Sequence, residues 1–522
     1  MYFPTAKPME ELMLRPSILS LFLLAGSMIG LGAAQAQVAD SHRKPKHHYY
    51  KLIDMGTLGG PQSIVFEVAT RSLNNRGVFT GCADTPKFDQ NVPQNGYFSY
   101  PDSEFDPYIQ HVFLWKSGEV TDLGALPEGT SSCTQWISDK GVIVGGSTNG
   151  TIDPLAGYAE VNAVLWKDGQ INSLGTFGGN QSLATSVNDK GQVVGFASNI
   201  IPDAFAMSVF AFGATQVHAF LWQDGSMTDL GTLGGLDSSA FVVNERGQIS
   251  GQSTIDSVIN PNTGSPQVDP FLWDNGKMID LGTLGGALGY PLGMNDRGQV
   301  VGDSDLAGDI SFHAFLWDHG SMKDLGTLGG SRSEARWINE RGEVAGWALL
   351  SGDSVVHAAL WKDGEIIDLG TLPGSPCSYA NGVNSLGQVL GAGQQCPNKP
   401  PRVAFLWENG EMVDLNSLVL QDSNKSRIFL WSANNANDRG EIVADGFLPT
   451  GENHAALLIP CDENHPDIDG CDYALAVSPE GSRLPVKTPS NGQGVTSPTA
   501  KLPNSFSRTQ KQHGRLGGLT SN

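Results

Sequence analysis

"HAFLWDHGSMKDLGTLGG", residues 313–330, recurs almost unchanged as "HAFLWQDGSMTDLGTLGG" at 218–235 and as "FLWDNGKMIDLGTLGG" at 271–286. The phrase joins an apolar run ending in Trp, a turn ending in Gly, a second run of the form "xMxDLG", and a Gly pair. Its Trp returns as Trp115, Trp166, Trp222, Trp273, Trp317, Trp361 and Trp407, at spacings of 44 to 56 residues. Two further apolar runs separate successive phrases. One resembles "SSAFVVN" (238–244) or "SEARWIN" (333–339); the other resembles "QVVG", and a turn such as "NERGQ" (244–248) or "NDRGQ" (295–299) joins them. Four short runs rich in Val, Ile, Phe, Leu and Trp, each closed by Gly or Asx-Gly, read as four strands linked by tight hairpins. No stretch between them has room for a helical period.

A four-stranded unit of this length, iterated, predicts an all-β fold of propeller blades. The competing repeat, a parallel β-helix, has shorter coils and no use for a hairpin at every turn. The two ends of the array give its register. "YKLIDMGTLGG" (50–60) is an outer strand with no "HAFLW" before it, and "HAALLIP" (454–460) is a "HAFLW" strand with no "DLG" after it. Each end has what the other lacks, so the N-terminal strand is expected to complete the last blade, a closure that removes exposed sheet edges. The inner strands end at Asn74, Ser138, Asn188, Asn244, Asn295, Asn339, Asn384 and Asn437. The expectation is therefore an eight-bladed β-propeller over 50–460, the last inner strand ("FLWSANNANDRG", 429–440) being the most divergent. In this register "HAFLW" is a strand packed on both faces, which accounts for its continuous apolar run. Burying each Trp there should contribute about 2–3 kcal/mol.

The recurring His111, His218, His313, His357 and His454 stand one per blade, spread around the ring, and so do not converge on a metal. They read as hydrogen-bonded strand starts. The Asp of "DLG" (Asp54, Asp122, Asp229, Asp280, Asp324, Asp368, Asp414) reads as an acceptor at a strand end.

These motifs resemble those of the extracellular HAF-repeat proteins of bacteria. The resemblance covers 50–460 and departs from the pattern in "HVFLW" (111–115), in "NAVLW" (162–166) and in the eighth blade. It implies an exported repeat protein and brings no catalytic residues with it.

Composition agrees with a turn-rich β fold: 65 Gly, 39% hydrophobic and only 16% charged residues. The formal charge is −22, and residues 473–522 carry six Lys or Arg against one Glu, so the repeat region is more acidic than the whole. Such a body repels phosphate backbones, which excludes nucleic acid as a partner. Residues 1–36 read as a signal peptide, with Arg15 before an apolar 17–33 and "AQA" at 34–36; Met13 is an alternative start. No other segment is apolar enough to span a membrane. A short basic linker (37–49) follows, and at the far end a Cys-bounded loop (461–472) and a Pro/Ser/Thr/Gly-rich tail (473–522) expected to be disordered. The expected location is secreted or periplasmic, as a monomer. Export makes the six cysteines disulfide candidates. The register pairs Cys377 with Cys396, Cys82 with Cys133, and Cys461 with Cys471.

Length variation is confined to one connection, between "QVVG" and "HAFLW", at 83–110, 148–161, 199–217 and 254–268. One face of the ring is thus elaborated and the other plain, and function on a rigid scaffold lives in its variable loops. The first insertion carries Phe88, Tyr97, Phe98, Tyr100, Phe105 and Tyr108 among Asp and Asn, the residue mix of a glycan platform. The second, 199–216, is strongly apolar and either packs on the face or meets a partner. No nucleophile, metal or phosphate motif is present, so no catalytic residue, metal or cofactor is expected. Asp303, Asp305 and Asp309, and Asp467, Asp469 and Asp472, match no full calcium loop and read as solvated acids. The expectation is a non-catalytic scaffold binding an extracellular glycan or protein. The alternative is a propeller-fold polysaccharide hydrolase or lyase using carboxylates near the axis, such as Glu67, Asp139 or Glu334.

Overall fold

The computed structural model describes residues 47–65, 70–89, 107–155, 157–203, 215–397, 399–420, 428–466, 468–469 and 471. They form an all-β molecule of thirty-two strands, and its one helical turn among the described residues is the 3-10 segment Leu415–Leu418. The third unit shows the pattern. Inner strand Ser182–Val187 pairs with Val193–Pro202, that strand with Thr215–Gln223, and the last with the outer strand Ser226–Asp229, all antiparallel. The strand order is the one read from the repeat. The strands assemble into seven sheets: six are four-stranded, and one holds eight strands. The larger sheet consists of two four-stranded sets joined by the single parallel pair Val268↔Leu288.

The N-terminal strand Tyr50–Asp54 lies antiparallel beside the last strand Asn453–Pro460, with Tyr50 opposite Pro460 and Asp54 opposite Ala456. Residues of these strands share a core with the first sheet, in which Met55, Phe79, Phe113, Val443 and Leu457 are buried together. The last residues of the expected linker, 47–49, are held against the sheets. Tyr49 accepts the Cys461 amide at 2.8 Å, and His47 Nδ1 lies 2.9 Å from Glu408 Oε1.

The Phe of the third strand is its most completely buried position. Phe113, Phe220, Phe271, Phe315 and Phe405 are essentially inaccessible; of the Trp residues, Trp115, Trp166, Trp317 and Trp361 are buried and Trp222, Trp273 and Trp407 half-buried. The cause is the residue across the ladder, the Gly of "QVVG". Gly81, Gly195, Gly251, Gly302 and Gly391 stand opposite the Phe residues. A Cβ on Gly81 would meet the Phe113 ring at 2.8 Å, and one on Gly195 would run into the Leu183 carbonyl. That carbonyl comes close because the inner strand bulges beside it, between Ala184 and Ser186, and equivalent bulges interrupt other inner strands.

The recurring His and Asp prove to be each other's partners. His Nδ1 meets the Asp carboxylate in His218–Asp229, His357–Asp368 and His454–Asp54, each at 2.8 Å, and in His111–Asp122 and His313–Asp324 at 2.9 Å. The same Asp accepts the amide two residues on, as Gly231 to Asp229. One clasp therefore ties the start of the third strand to the end of the outer strand. In His454–Asp54 it joins residues 400 apart in sequence.

The inner-strand turns are linked in series. Asn188 Nδ2 donates to the Asn244 carbonyl, Asn244 to Asn295, Asn295 to Asn339, Asn339 to Asn384, Asn384 to Asn437, Asn437 to Asn74 and Asn74 to Ser138, at 2.9–3.1 Å. Ser138 has no side-chain amide to donate. At that junction the Lys140 ammonium donates to the Asp189 carbonyl instead.

Three disulfides join Cys82–Cys133, Cys377–Cys396 and Cys461–Cys471, the pairs read from the register, with Cα separations of 5.3, 5.5 and 5.5 Å. The first crosses between sheets; the last closes a loop held to the final sheet by His465, which lies between Asp462 and Glu441. Loop-closure entropy ranks them. The Cys82–Cys133 bridge spans 51 residues and Cys461–Cys471 spans 10, so replacing both cysteines of the first by Ala should cost about 1.4 kcal/mol more than doing so for the last. Chemical denaturation of the two variants measures the difference.

The clasps also give stability a pH signature. The Asp229 hydrogen bond raises the His218 pKa against the opposing effect of burial. Burial pulls Asp229 upward, but the His218 bond, the Gly231 amide and the His218 charge outweigh it and leave its pKa lowered. The His contribution is complete below the unfolded His pKa and is lost as pH rises through the folded one. The Asp contribution is complete above the unfolded Asp pKa and is lost as pH falls through the folded one. His218→Ala should thus cost about 0.5–1 kcal/mol near pH 6, after screening of the part-exposed carboxylate, and clearly less near pH 9. Thermal melts at the two pH values check it.

Candidate binding face

Strand lengths separate two halves of the molecule. The second strands of the first four sets, Phe79–Phe88, Ile143–Ile152, Val193–Pro202 and Ile249–Ile259, run 10, 10, 10 and 11 residues. In the later sets Val300–Leu306, Val344–Leu350, Val389–Gln395 and Ile442–Phe447 run 7, 7, 7 and 6. Three extra residues extend a hairpin by about 10 Å. In each long hairpin the pairing register shifts near the tip, as between Ser198 and Pro202 and between Thr254 and Ile259.

The extensions carry apolar side chains into solvent. Ile200 is 75% exposed, Val258 69%, Phe88 63% and Leu155 61%, with Ile152, Ile201 and Ile259 also exposed, and the next set adds Ile310. The carboxylates of the same segments turn inward. Asp153 accepts from the Leu155 amide, Asn180 and Gln181, and Asp309 accepts from the Ala287 amide, Asn260 and Asn262. Asp89, Asp153, Asp203 and Asp309 are all buried. Among the described residues these hairpins therefore expose aliphatic side chains while several of their carboxylates are buried.

Of the aromatic residues proposed as a glycan platform, Phe88 and Tyr108 are brought together. They are cross-strand partners, with ring centroids 4.8 Å apart and planes 28° from parallel. Tyr97, Phe98, Tyr100 and Phe105 lie outside the described residues, as does the middle of the apolar 199–216 insertion.

The carboxylates considered for axial chemistry are held in other roles. Glu334 is buried and accepts from Arg336 Nε at 2.7 Å, and Arg336 reaches on to Asn381 Oδ1 of the next inner strand at 2.8 Å. Asp139 accepts the Asn75 amide at 2.8 Å and pairs with Arg71. It belongs to a row of turn residues, each taking the amide of its neighbour's turn: Asp189 from Lys140, Glu245 from Asp189, Asp296 from Glu245, Glu340 from Asp296 and Asp438 from Ser385. Burial, followed by the neighbouring carboxylates, raises Glu245 and Glu340 against the opposing backbone amides. Glu67 lies outside the described residues. Near Arg336, Trp337 stacks on Trp136 of the second sheet with centroids 6.0 Å apart, and Phe241 and Met294 pack in the same cluster. Apolar side chains from several inner strands thus meet beside the Glu334–Arg336 pair.

Asp303, Asp305 and Asp309, read as solvated, are buried, Asp309 because it anchors the hairpin base through Ala287, Asn260 and Asn262. Asp467 and Asp472 lie outside the described residues. Among the described residues no three His, Cys, Asp or Glu side chains stand close enough together to hold a metal ion. No described helix is long and apolar enough to cross a membrane.

No family model matches the chain, and no curated protein does. Solved structures do. The β-propeller domain of the Trilobed protease from Pyrococcus furiosus is 11% identical, covering 72% of this chain and 99% of that one, with a TM-score of 0.39. A Mycobacterium tuberculosis puromycin-hydrolyzing peptidase is 12% identical over 78% of this chain and 62% of its own, with a TM-score of 0.39. Porphyromonas gingivalis dipeptidyl peptidase 4 is 11% identical over 77% and 60%, with a TM-score of 0.41. The chain spans less than two thirds of either peptidase, and the likeness is one of fold alone.

The Glu334–Arg336 pair carries an expectation. Arg336→Met strands a buried carboxylate and should cost about 3–5 kcal/mol, whereas Arg336→Met combined with Glu334→Gln should recover most of that loss. Denaturant titration of the single and double variants measures both.

Proposed function

We propose that this chain is an exported, non-catalytic scaffold, a closed eight-bladed β-propeller of the kind the HAF-repeat resemblance implies, which binds an extracellular glycan or protein through its elongated hairpins. The observation that carries the binding reading is the confinement of the extra strand length to one connection of four consecutive units, where Ile200, Val258 and Phe88 are exposed, opposite a face of hydrogen-bonded turns. Closure is supported by the strand pair at the two ends of the array, the His454–Asp54 clasp and the Asn437–Asn74 bond. Eight blades follow if Val268↔Leu288 is a contact between neighbours and not the continuation of one sheet. Export after Ala36 is supported by three disulfides, which persist in oxidising compartments.

A glycan is the first ligand class to test. Phe88 and Tyr108 offer a stacked aromatic pair at the tip of a hairpin, and Phe88 keeps most of its surface free. The mature chain on a glycan array should bind without releasing product. Phe88→Ala with Tyr108→Ala should weaken that binding at least tenfold while leaving the melting temperature nearly unchanged. Released oligosaccharide would overturn the scaffold reading, and an array without hits would remove the glycan and leave a protein partner.

A further inference from the structure

The second and third sheets build the base of their long hairpins alike, with one difference. In the second, the Val161 amide donates to Gln181 Oε1 at 2.9 Å, and Gln181 Nε2 donates to Asp153 Oδ2 at 3.1 Å. In the third, the Val217 amide donates to Asp237 Oδ1 at 2.8 Å, so Asp237 fills the place of Gln181, and Asp203 fills that of Asp153. Asp203 and Asp237, both buried, therefore stand where Asp153 and Gln181 bond to each other in the second sheet. Two ionised carboxylates have no donor between them, so a bond here requires a proton that the glutamine of the second sheet makes unnecessary.

We propose that Asp203 and Asp237 share one proton, and that losing it releases the apolar hairpin of the third sheet. The pair then sets the pH range over which the binding face is fully assembled. This rests on the reading of that face given above and adds its regulation.

The surroundings keep the proton in place. Asp237 is 1% exposed and Asp203 6%. Asp237 directly precedes the inner strand Ser238–Val243 of the next set and is fastened there, its amide donating to Thr254 Oγ1 and its carbonyl accepting from the Thr254 amide. Among the described residues the charged groups near the pair are few. On the third sheet they are His218 and, behind it, Asp229; on the strand that holds Thr254 the one charged residue is Asp256, two positions further along. Burial, with the hydrogen bond and charge of Asp203, raises Asp237 well above the usual carboxylate range, and the Val217 amide and His218 only partly offset this. The folded chain then holds a proton that the unfolded chain gives up above about pH 4, so this pair's contribution to stability falls as pH rises toward its folded pKa. Past that point two buried like charges face each other. Asp203 directly follows Pro202, the end of the strand that presents Ile200 and Ile201, so the repulsion acts on the hairpin that carries them.

Hydrogen–deuterium exchange of the mature chain between about pH 6 and about pH 10, with rates normalised to unstructured peptides, tests this. Amides of 198–203 and 215–218 should lose protection at least tenfold across the range, while the matching 148–153 and 159–162 of the second sheet stay level. Asp237→Gln, which copies the second sheet, should level the third; Asp203→Asn provides the same comparison from the other side. A level wild-type profile, or parallel loss in both hairpins, overturns the proposal. Ligand binding is not read in this experiment, so its result stands apart from the success or failure of the glycan screen.

Discussion

One asparagine side chain per unit satisfies three backbone groups, and the regularity of the molecule depends on it. At Asn188 the side-chain oxygen accepts the amides of Lys190 and Gln192, closing its own turn, while the side-chain nitrogen donates to the carbonyl of Asn244 in the next. An aspartate there would lack the donor. The amide is therefore both a turn lock and a docking pin, and each unit positions its successor by the same bond. At Ser138, which has no side-chain amide, the Lys140 ammonium reaches the Asp189 carbonyl instead.

With one end of every inner strand pinned in this way, the other end is free to vary. The turn face is uniform because each turn is simultaneously its neighbour's hydrogen-bond partner, so a longer turn would break two units at once. The hairpins between second and third strands have no such obligation. They lengthen by three or four residues in the first four sets, where Asp153 and Asp203 are buried at their hairpin bases while Ile200 and Val258 stand in water. Among the inner strands, Trp136 stacks on Trp337 and Glu334 is buried against Arg336.

The His–Asp clasp shows how far the units tolerate substitution. The second set has Asn162 and Ser173 at these positions, the fourth Asp269 and Asp280, and the seventh Val403 and Asp414. In the fourth, burial and the facing Asp280 raise Asp269, so an acid pair stands where other sets have a His–Asp hydrogen bond. The outer strand still forms in all three, because its pairing is carried by backbone bonds and the clasp adds only a modest increment.

Much of this was legible in the chain itself. The recurrence of "HAFLW" and "DLG", the Gly-bounded runs and the complementary ends near Tyr50 and His454 determined an all-β repeat, the order of strands within each unit and the strand pair at the termini, because hydrophobic period and turn residues are local signals. The three disulfides followed from that register. What the repeat concealed was reciprocity. His218 and Asp229 were each legible as hydrogen-bonding residues but not as partners, and Asn244 was legible as a turn residue but not as the link to Asn295. The burial of Phe220 ahead of Trp222, the bulge that makes Gly195 obligatory, the stacking of Trp136 on Trp337 and the meeting of Asp203 with Asp237 were decided only in the tertiary structure. Each depends on where a second strand, or a second sheet, comes to lie against the first, and that distance is not written in the spacing of either.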